Sequence, residues 1–183
     1  IVLVDEAHGA HLAFHEELPP DALACGADCV AQSTHKLTGS LTQTSMLHCR
    51  RGFPYTDRVA AAMALVQSTS PHYWFLASLD LARQQMALEG RQRETQALSL
   101  ARQARKQLNA LPGISCFGRE MMRYEAVGNL DETKLTIDFS GLGLMGREAE
   151  RLLRDASIEV ELTAGHHVLA LVTFGDSDKS IQA

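Results

Sequence analysis

The chain has 183 residues, which is enough for one large domain or two small ones. Its 45% hydrophobic and 21% charged residues are typical of a globular protein, and its net charge of −5 argues against broad binding to nucleic acid. No apolar run approaches the ~20 residues that span a bilayer. The four cysteines form no CxxC pair, so we expect reduced thiols and a cytoplasmic protein. From the charge and the short apolar runs we expect neither nucleic-acid nor membrane partners.

The first part of the chain predicts short strands separated by loops. A β-branched run opens the chain, indicates a buried parallel strand and is followed by a loop rich in Gly, Ala and His. This first strand covers residues 1–4. The elements predicted after it are a loop at 5–15, a short helix at 20–24 closed by Gly26, a strand at 28–32, a polar loop at 33–36 and a strand at 44–48.

The second part begins with helices and then changes character. Helical spacing of apolar residues predicts helices over 56–67, 73–89 and 91–111, before Pro112-Gly113 ends the pattern. The later predicted elements are strands at 134–139, 158–162 and 167–174 and a helix at 146–156. We therefore predict an α/β protein with a domain boundary near Leu111.

The tetrapeptide Asp5-Glu6-Ala7-His8 matches the acidic box of nucleotide-dependent helicases. Such a motor needs a phosphate-binding loop of the pattern Gly-x-x-x-x-Gly-Lys-Ser/Thr, and the 183 residues contain none. No Ser-Ala-Thr-like motif follows the acidic pair, and the sequence shows no basic or aromatic surface for a single strand. A match of four residues is weak evidence, so the helicase interpretation is disfavoured.

A lysine surrounded by hydroxyls suggests a different chemistry. Lys36 follows Ser33, Thr34 and His35, and such a lysine can react covalently when its neighbours desolvate it; an exposed loop lysine is the alternative. Paired with a carboxylate at a strand end, here Asp5, it forms the minimum set for pyridoxal phosphate. The lysine binds the cofactor covalently, and the carboxylate keeps the pyridine nitrogen protonated so that the ring accepts electrons.

These segments resemble the Orn/Lys/Arg decarboxylases, pyridoxal-phosphate enzymes of the aspartate-aminotransferase fold, and especially their shorter bacterial arginine-decarboxylase-like branch. The resemblance is carried by the opening DEAHGAHLAFH, by STHK at 33–36 with Gln43 and Ser45, and by STSPHY at 68–73. It implies that 1–111 is the C-terminal part of the large cofactor-binding domain of a fold-type-I transferase. Residues 112–183 would form a smaller, incomplete α/β domain, and the family's phosphate-binding turn and ring-stacking residue would lie upstream of Ile1.

The resemblance implies α-decarboxylation of arginine, lysine or ornithine to a polyamine-pathway amine. Three residues would be catalytic: Lys36 would hold the cofactor covalently, Asp5 would pair with its ring nitrogen, and His8 would lie near its phenolic oxygen. Ala7 would pack on one face of the ring. Another reaction on the same scaffold, transamination or β-elimination, remains open, as does a non-catalytic piece.

The same resemblance implies how the cofactor's phosphate is held. Ser33 and His35 would bind it within one subunit, because hydroxyl and imidazole donors suit a dianion. Ser68, with or without Thr69, would reach the phosphate of a neighbouring subunit, which implies a homodimer or higher oligomer with shared active sites. Thr44 stands where a smaller residue is expected, and residues 162–167 depart from the family pattern.

The roles of His11, His15 and Glu6 are not assigned by the sequence. The spacing of His8, His11 and His15 could suggest a metal site, but no helix is predicted there, and we expect no bound metal. Glu6 should point to the side of the strand opposite Asp5, because side chains alternate along a strand. The sequence assigns no role to Glu6.

Overall fold

The computed structural model describes residues 1–182 and shows the mixed α/β architecture that the sequence predicts. Its strands are β1 Leu3–Asp5, β2 Cys29–Gln32, β3 Met46–Cys49, β4 Ser115–Cys116, β5 Lys134–Asp138, β6 Leu162–Ala164 and β7 His167–Leu171. Its helices are α1 Thr34–Leu37, α2 Thr56–Val66, α3 Tyr73–Leu108, α4 Gly146–Asp155 and α5 Asp178–Gln182. Short 3₁₀ helices cover Leu12–Phe14, Arg119–Arg123 and Ser140–Leu142. None of the helices formed by residues 1–182 is long and apolar enough to cross a bilayer.

The chain divides into two compact units, Ile1–Arg91 and a second unit that starts at Gln92. The division falls inside α3, whereas the sequence places a domain boundary near Leu111, just beyond the end of that helix. Compact units are defined by contacts within the folded chain and do not by themselves define its domains. The division into domains at 1–111 and 112–183 therefore stays a prediction.

The first unit is built on a three-stranded sheet with the order β1-β2-β3. Strand β1 runs parallel to β2 and pairs Asp5 with Ala31, and β2 runs antiparallel to β3. The three strands predicted in this part of the chain are therefore confirmed, but the prediction that the first is buried is wrong: β1 is an edge strand of this sheet, and Leu3 is 71% exposed. Because β1 and β2 are parallel, the loops that follow them leave the sheet at the same edge, as in other α/β sheets.

Two local predictions in the first unit are wrong. Residues 20–24 form turns rather than a regular helix, because one helical turn, from the N–H of Cys25 to the carbonyl of Asp21, is closed at once when Gly26 and Ala27 donate to the carbonyls of Leu23 and Ala22. Gly26 follows with φ +95°, a left-handed conformation that favours glycine. The polar segment after β2 is not a loop, because Thr34–Leu37 forms the single helical turn α1.

The helices predicted at 73–89 and 91–111 are one continuous helix, α3. Glycine lowers helix propensity by about 1 kcal/mol, but this local penalty does not interrupt the helix at Gly90. A Cβ built on Gly90 would lie 3.0 Å from Cβ of Phe14, so the absence of a side chain lets the 3₁₀ helix pack closely on α3. The packing partner, which the sequence does not reveal, accounts for the glycine.

The second unit contains an antiparallel sheet with the order β4-β5-β7-β6. Its buried core gathers residues of α3, α4, β5 and β7, among them Leu100, Ala101, Ile137, Ala149 and Val168. The strands at 134–139 and 167–174 are confirmed, but the strand predicted at 158–162 begins only at Leu162, after Ser157 ends the helical region with φ +65°. Strand β4 and helix α5 were not predicted from the sequence.

Candidate active site

A cavity of about 720 Å³ lies against the sheet of the first unit. Its wall includes Leu3, Cys29 and Leu47 from the three strands, and Val59 contributes from α2. Four of the predicted site residues line it: Asp5, Ala7, Ser33 and Lys36. The volume falls within the ~300–1,000 Å³ range of small-molecule sites.

The parallel pairing of β1 and β2 brings the predicted carboxylate and amine to one cavity. Asp5 is the last residue of β1, and its Oδ1 accepts the N–H of Ala7 at 3.1 Å, which helps to set its orientation. Ser33 follows the end of β2 directly, and Lys36 lies in the helical turn α1 after it. The parallel pairing of β1 with β2 thus brings Asp5 and Lys36, which are far apart in the sequence, to the same cavity.

Lys36 lies in the segment that follows β2 and His8 in the segment that follows β1, and the two side chains interact directly. Nζ of Lys36 lies 3.0 Å from Nε2 of His8. A protonated lysine has donors only, so Nε2 accepts the hydrogen bond and the imidazole proton is on Nδ1 while Lys36 is charged. The structure therefore places a proton acceptor beside the Lys36 amine.

A cluster of buried hydroxyls anchors the turn that carries Lys36, and we call Thr34, Thr38, Ser40 and Thr44 the hydroxyl cluster. Ser40 Oγ donates to Thr34 Oγ1 at 2.9 Å, and Thr44 Oγ1 lies 2.6 Å from Ser40 Oγ. Thr38 Oγ1 donates to the carbonyl of Thr34 at 2.7 Å. Because these groups satisfy one another, the turn is held in a single orientation while Lys36 stays exposed. Sequence reasoning noted Thr44 only as a departure from the family pattern.

His35 does not line the cavity. Its Nδ1 lies 2.6 Å from the carbonyl oxygen of Thr44, an acceptor, so Nδ1 is the protonated nitrogen. This bond ties the ring to the loop that carries the hydroxyl cluster. The predicted contact of His35 with a phosphate is not tested by this geometry and stays a prediction.

Ser68 and Thr69 lie in the exposed segment between α2 and α3, away from the cavity lining. Ser68 Oγ accepts the N–H of Ser70 at 3.1 Å, so it caps a local turn. The structure of one chain does not bring these two residues to the site. Their predicted reach into a neighbouring subunit stays a prediction.

Glu6 has a structural role that the sequence did not assign. Its Oε1 accepts the N–H of Ala22 at 2.8 Å, and its Oε2 accepts Nε2 of Gln32 at 2.6 Å. Gln32 directly precedes Ser33 and lines the cavity. Glu6 therefore ties the end of β1 to the end of β2, and with it Asp5 to the turn of Lys36. The strand alternation that turns Glu6 away from Asp5 was the available signal.

Gly9 leaves room for the side chain of Glu6. A Cβ on Gly9 would lie 2.3 Å from Cγ and 2.8 Å from Cδ of Glu6. We expect Gly9→Ala to lower the thermal midpoint of the protein, because Glu6 must shift and give up hydrogen bonds, at a cost of about 1–3 kcal/mol. Thermal unfolding followed by circular dichroism measures the effect.

The matched control for this substitution is Gly128→Ala, because a Cβ at Gly128 meets no atom within 4 Å. We expect Gly128→Ala to leave the midpoint unchanged within experimental error. Equal midpoints for the two variants would show that Glu6 adapts without loss and does not hold the strand ends.

His11 and His15 are buried and do not join His8 in a metal site. His15 Nδ1 accepts the N–H of Glu17 at 3.1 Å, which gives the imidazole a local structural contact. Within residues 1–182, no group of three or more His, Cys, Asp or Glu side chains is arranged to hold a metal ion.

Solved structures define the class of fold to which this chain belongs. Lysine decarboxylase A from Pseudomonas aeruginosa matches with a TM-score of 0.80 at 21% identity, over 100% of this chain and 31% of that chain. The Francisella novicida lysine decarboxylase LdcF matches with a TM-score of 0.76 at 20% identity, over 98% of this chain and 30% of that chain. The chain therefore has the fold of part of these decarboxylases.

Sequence relatives identify the family. The chain is 48% identical over 177 residues to the arginine decarboxylase of Bacillus subtilis strain 168, covering 96% of this chain and 36% of that protein. It is 45% identical over 181 residues to the arginine decarboxylase of Halalkalibacterium halodurans, covering 98% of this chain and 37% of that protein. The family model described as Orn/Lys/Arg decarboxylase, major domain, matches residues 1–180.

The chain belongs to the Orn/Lys/Arg decarboxylase family, which confirms the resemblance seen in the sequence. The match extends through both compact units. The chain spans about a third of the length of the curated relatives it matches, 36% and 37% in the two cases given.

Proposed function

We propose that this chain forms the lysine and aspartate part of the active site of a pyridoxal-phosphate-dependent decarboxylase of basic amino acids. The observation that carries the proposal is the convergence of Asp5 and Lys36 on one cavity, at the ends of two adjacent parallel strands. Arginine is the first substrate to test, since relatives 43–48% identical are named arginine decarboxylase.

The residues at the cavity suit this cofactor chemically. Lys36 supplies an amine for its aldehyde, Asp5 supplies a carboxylate for its ring nitrogen, and the Ser33 hydroxyl can donate to a phosphate. Ala7 and Ala31 are among the small residues on the wall, and their short side chains permit close approach of a flat ring.

Each side chain has a distinct task in this proposal. Lys36 would hold the cofactor through its amine, and His8 holds the Lys36 amine by the hydrogen bond between Nζ and Nε2. Asp5 keeps a proton on the ring nitrogen. When bound, pyridoxal phosphate accepts the electron pair of the bond to the departing carboxyl group. The hydroxyl cluster supports the turn that carries Lys36, and Glu6 ties the end of β1 to the end of β2.

We further propose that the complete enzyme is a cytoplasmic homodimer or higher oligomer with shared sites. Ser68 and Thr69 are exposed in this chain, so the phosphate of a neighbouring subunit could approach them, and Ser68 Oγ would then exchange its local contact with Ser70. This oligomeric arrangement follows from the family resemblance and is tested separately, by sedimentation of the protein with and without the cofactor.

The experiment that tests the function has two parts. The 183-residue chain is mixed with pyridoxal phosphate, and we expect a visible absorption band and, after borohydride reduction, a cofactor-modified peptide that contains Lys36. The full-length gene product is then assayed with arginine, lysine and ornithine. Carbon dioxide released with the matching amine supports decarboxylation.

Other results would redirect or reject the proposal. A keto acid formed without carbon dioxide would indicate transamination on the same scaffold, the alternative that fold alone cannot exclude. A folded chain with no band, together with a full-length gene product that releases no carbon dioxide, would overturn the proposal. Pyridoxine, which lacks the aldehyde, is the control ligand and should give no band.

A further inference from the structure

Two cysteines lie opposite each other on adjacent strands of the sheet beside the candidate active site. Cys29 on β2 is paired directly with Cys49 on β3. Their Sγ atoms lie 3.5 Å apart, and both residues are free thiols. Cys29 also lines the cavity that contains Asp5 and Lys36. The proposed function gives this pair no task.

The backbone geometry at the pair suits a disulfide. The N–H of Arg50 donates to the carbonyl of Asp28 at 2.9 Å, so the neighbouring Cys29–Cys49 pair is of the non-hydrogen-bonded type. Cα atoms in such a pair are about 4.5 Å apart, within the disulfide range of about 4.4–6.8 Å. The sulfurs need to approach to about 2.05 Å, which side-chain rotation within the two strands can provide.

The ends of the two strands are held independently of the sulfurs. Nη2 of Arg50 lies 2.7 Å from Oδ1 of Asp28, one residue beyond the cysteine pair. Together with the strand pairing of Val30 and His48 on the other side, this contact favours the thiols remaining opposite each other. This persistence favours a bond within the chain over a bond to another molecule, because the second thiol is already in place.

We propose that Cys29 and Cys49 form a reversible disulfide when the protein meets a peroxide. The thiolate of Cys49, the more exposed of the two, attacks hydrogen peroxide and becomes a sulfenic acid, with release of the first water. The sulfur of Cys29 then attacks the Cys49 sulfur and displaces the second water. Two thiols and one peroxide give one disulfide and two waters, and a dithiol such as dithiothreitol restores the thiols.

The order of these steps follows from the surroundings of each sulfur. Burial raises the pKa of the Cys29 thiol, and the hydrogen bond with Cys49 adds to the rise. Cys29 is therefore the weaker nucleophile toward an external oxidant and acts second. The other two cysteines serve as internal comparisons, since Cys25 is exposed and Cys116 is buried in the second unit.

The test is oxidation of the 183-residue chain with a slight excess of hydrogen peroxide, followed by alkylation and non-reducing peptide mapping. We expect a chain two hydrogen atoms lighter, a cross-linked peptide pair that contains Cys29 and Cys49, and a thermal midpoint higher by about 5–10 °C. Dithiothreitol should reverse all three changes. Cys49→Ser should abolish them, and Cys25→Ser should preserve them.

Two outcomes would overturn the inference. One is full alkylation of Cys29 and Cys49 after oxidation, with Cys25 alone modified. The other is a cross-link that joins two chains instead of two strands. Neither readout depends on cofactor or turnover, so failure here is distinct from failure of the proposed decarboxylase function. Cys29→Ser should also abolish the cross-link. It is the second variant to test if Cys49→Ser does not fold.

Discussion

Replacing Lys36 by alanine is expected to abolish covalent binding of pyridoxal phosphate and to lower decarboxylation by about a thousandfold or more. No other lysine of residues 1–182 lines the cavity, so no amine nearby can replace its Nζ. Lys36 is exposed, and its side chain contributes little packing. We therefore expect a thermal midpoint close to that of the unmodified protein, within about 0.5 kcal/mol in stability.

The measurement combines borohydride reduction, peptide mapping and release of carbon dioxide from arginine. Lys106→Ala is the matched control, because Lys106 is an exposed lysine on α3 in the second unit. It should retain both the cofactor adduct and full activity. An unchanged adduct in the Lys36→Ala protein, located on another lysine, would refute the assignment of the site.

Replacing Asp5 by asparagine is expected to separate cofactor binding from turnover. Asparagine keeps an oxygen to accept the N–H of Ala7, now bound to Asp5 Oδ1 at 3.1 Å, so the loop should keep its shape. The amide has no negative charge to hold a proton on the ring nitrogen. We expect the adduct on Lys36 to persist while decarboxylation falls by about 10²–10⁴-fold.

Asp138→Asn provides a close control for this substitution. Asp138 also ends a strand, β5, and its Oδ1 also accepts the N–H two residues later, from Ser140 at 2.8 Å. It belongs to the second unit and does not line the cavity. Its replacement should leave turnover unchanged. Equal activity of the Asp5→Asn and unmodified proteins would remove Asp5 from the catalytic set.

Much of the first unit could be predicted from sequence because its signals are local. The β-branched run before Asp5 has the pattern of a parallel strand, and the structure pairs it in parallel with β2, although β1 is exposed rather than buried. The resemblance pointed to Lys36, since its lysine signature is long. The family is confirmed, and the specific roles of Asp5, His8 and Lys36 remain predictions that the variants above will test.

Other features depend on partners distant in sequence, and local patterns could not reveal them. Gly90 looked like a break between two helices, but its close contact with Phe14 explains the glycine inside an unbroken α3. Residues 158–161 looked like part of a strand, but β6 begins at Leu162, directly after the N–H of Glu161 donates to the carbonyl of Leu169 in β7. Strand assignment needs a neighbour with free hydrogen-bonding groups, and a sequence pattern does not contain that neighbour.

The sequence by itself determined the chemistry available to this protein: a lysine among hydroxyls, a strand-end aspartate and the family to which they belong. Only the tertiary structure decided how these groups meet. Parallel pairing of β1 with β2 brings Asp5 and Lys36 to one cavity, and Glu6 bridges the two strand ends through Gln32. It also set Cys29 opposite Cys49. The physical reason is that register and hydrogen bonding between distant segments are properties of the folded chain, whereas residue type and spacing are properties of the sequence.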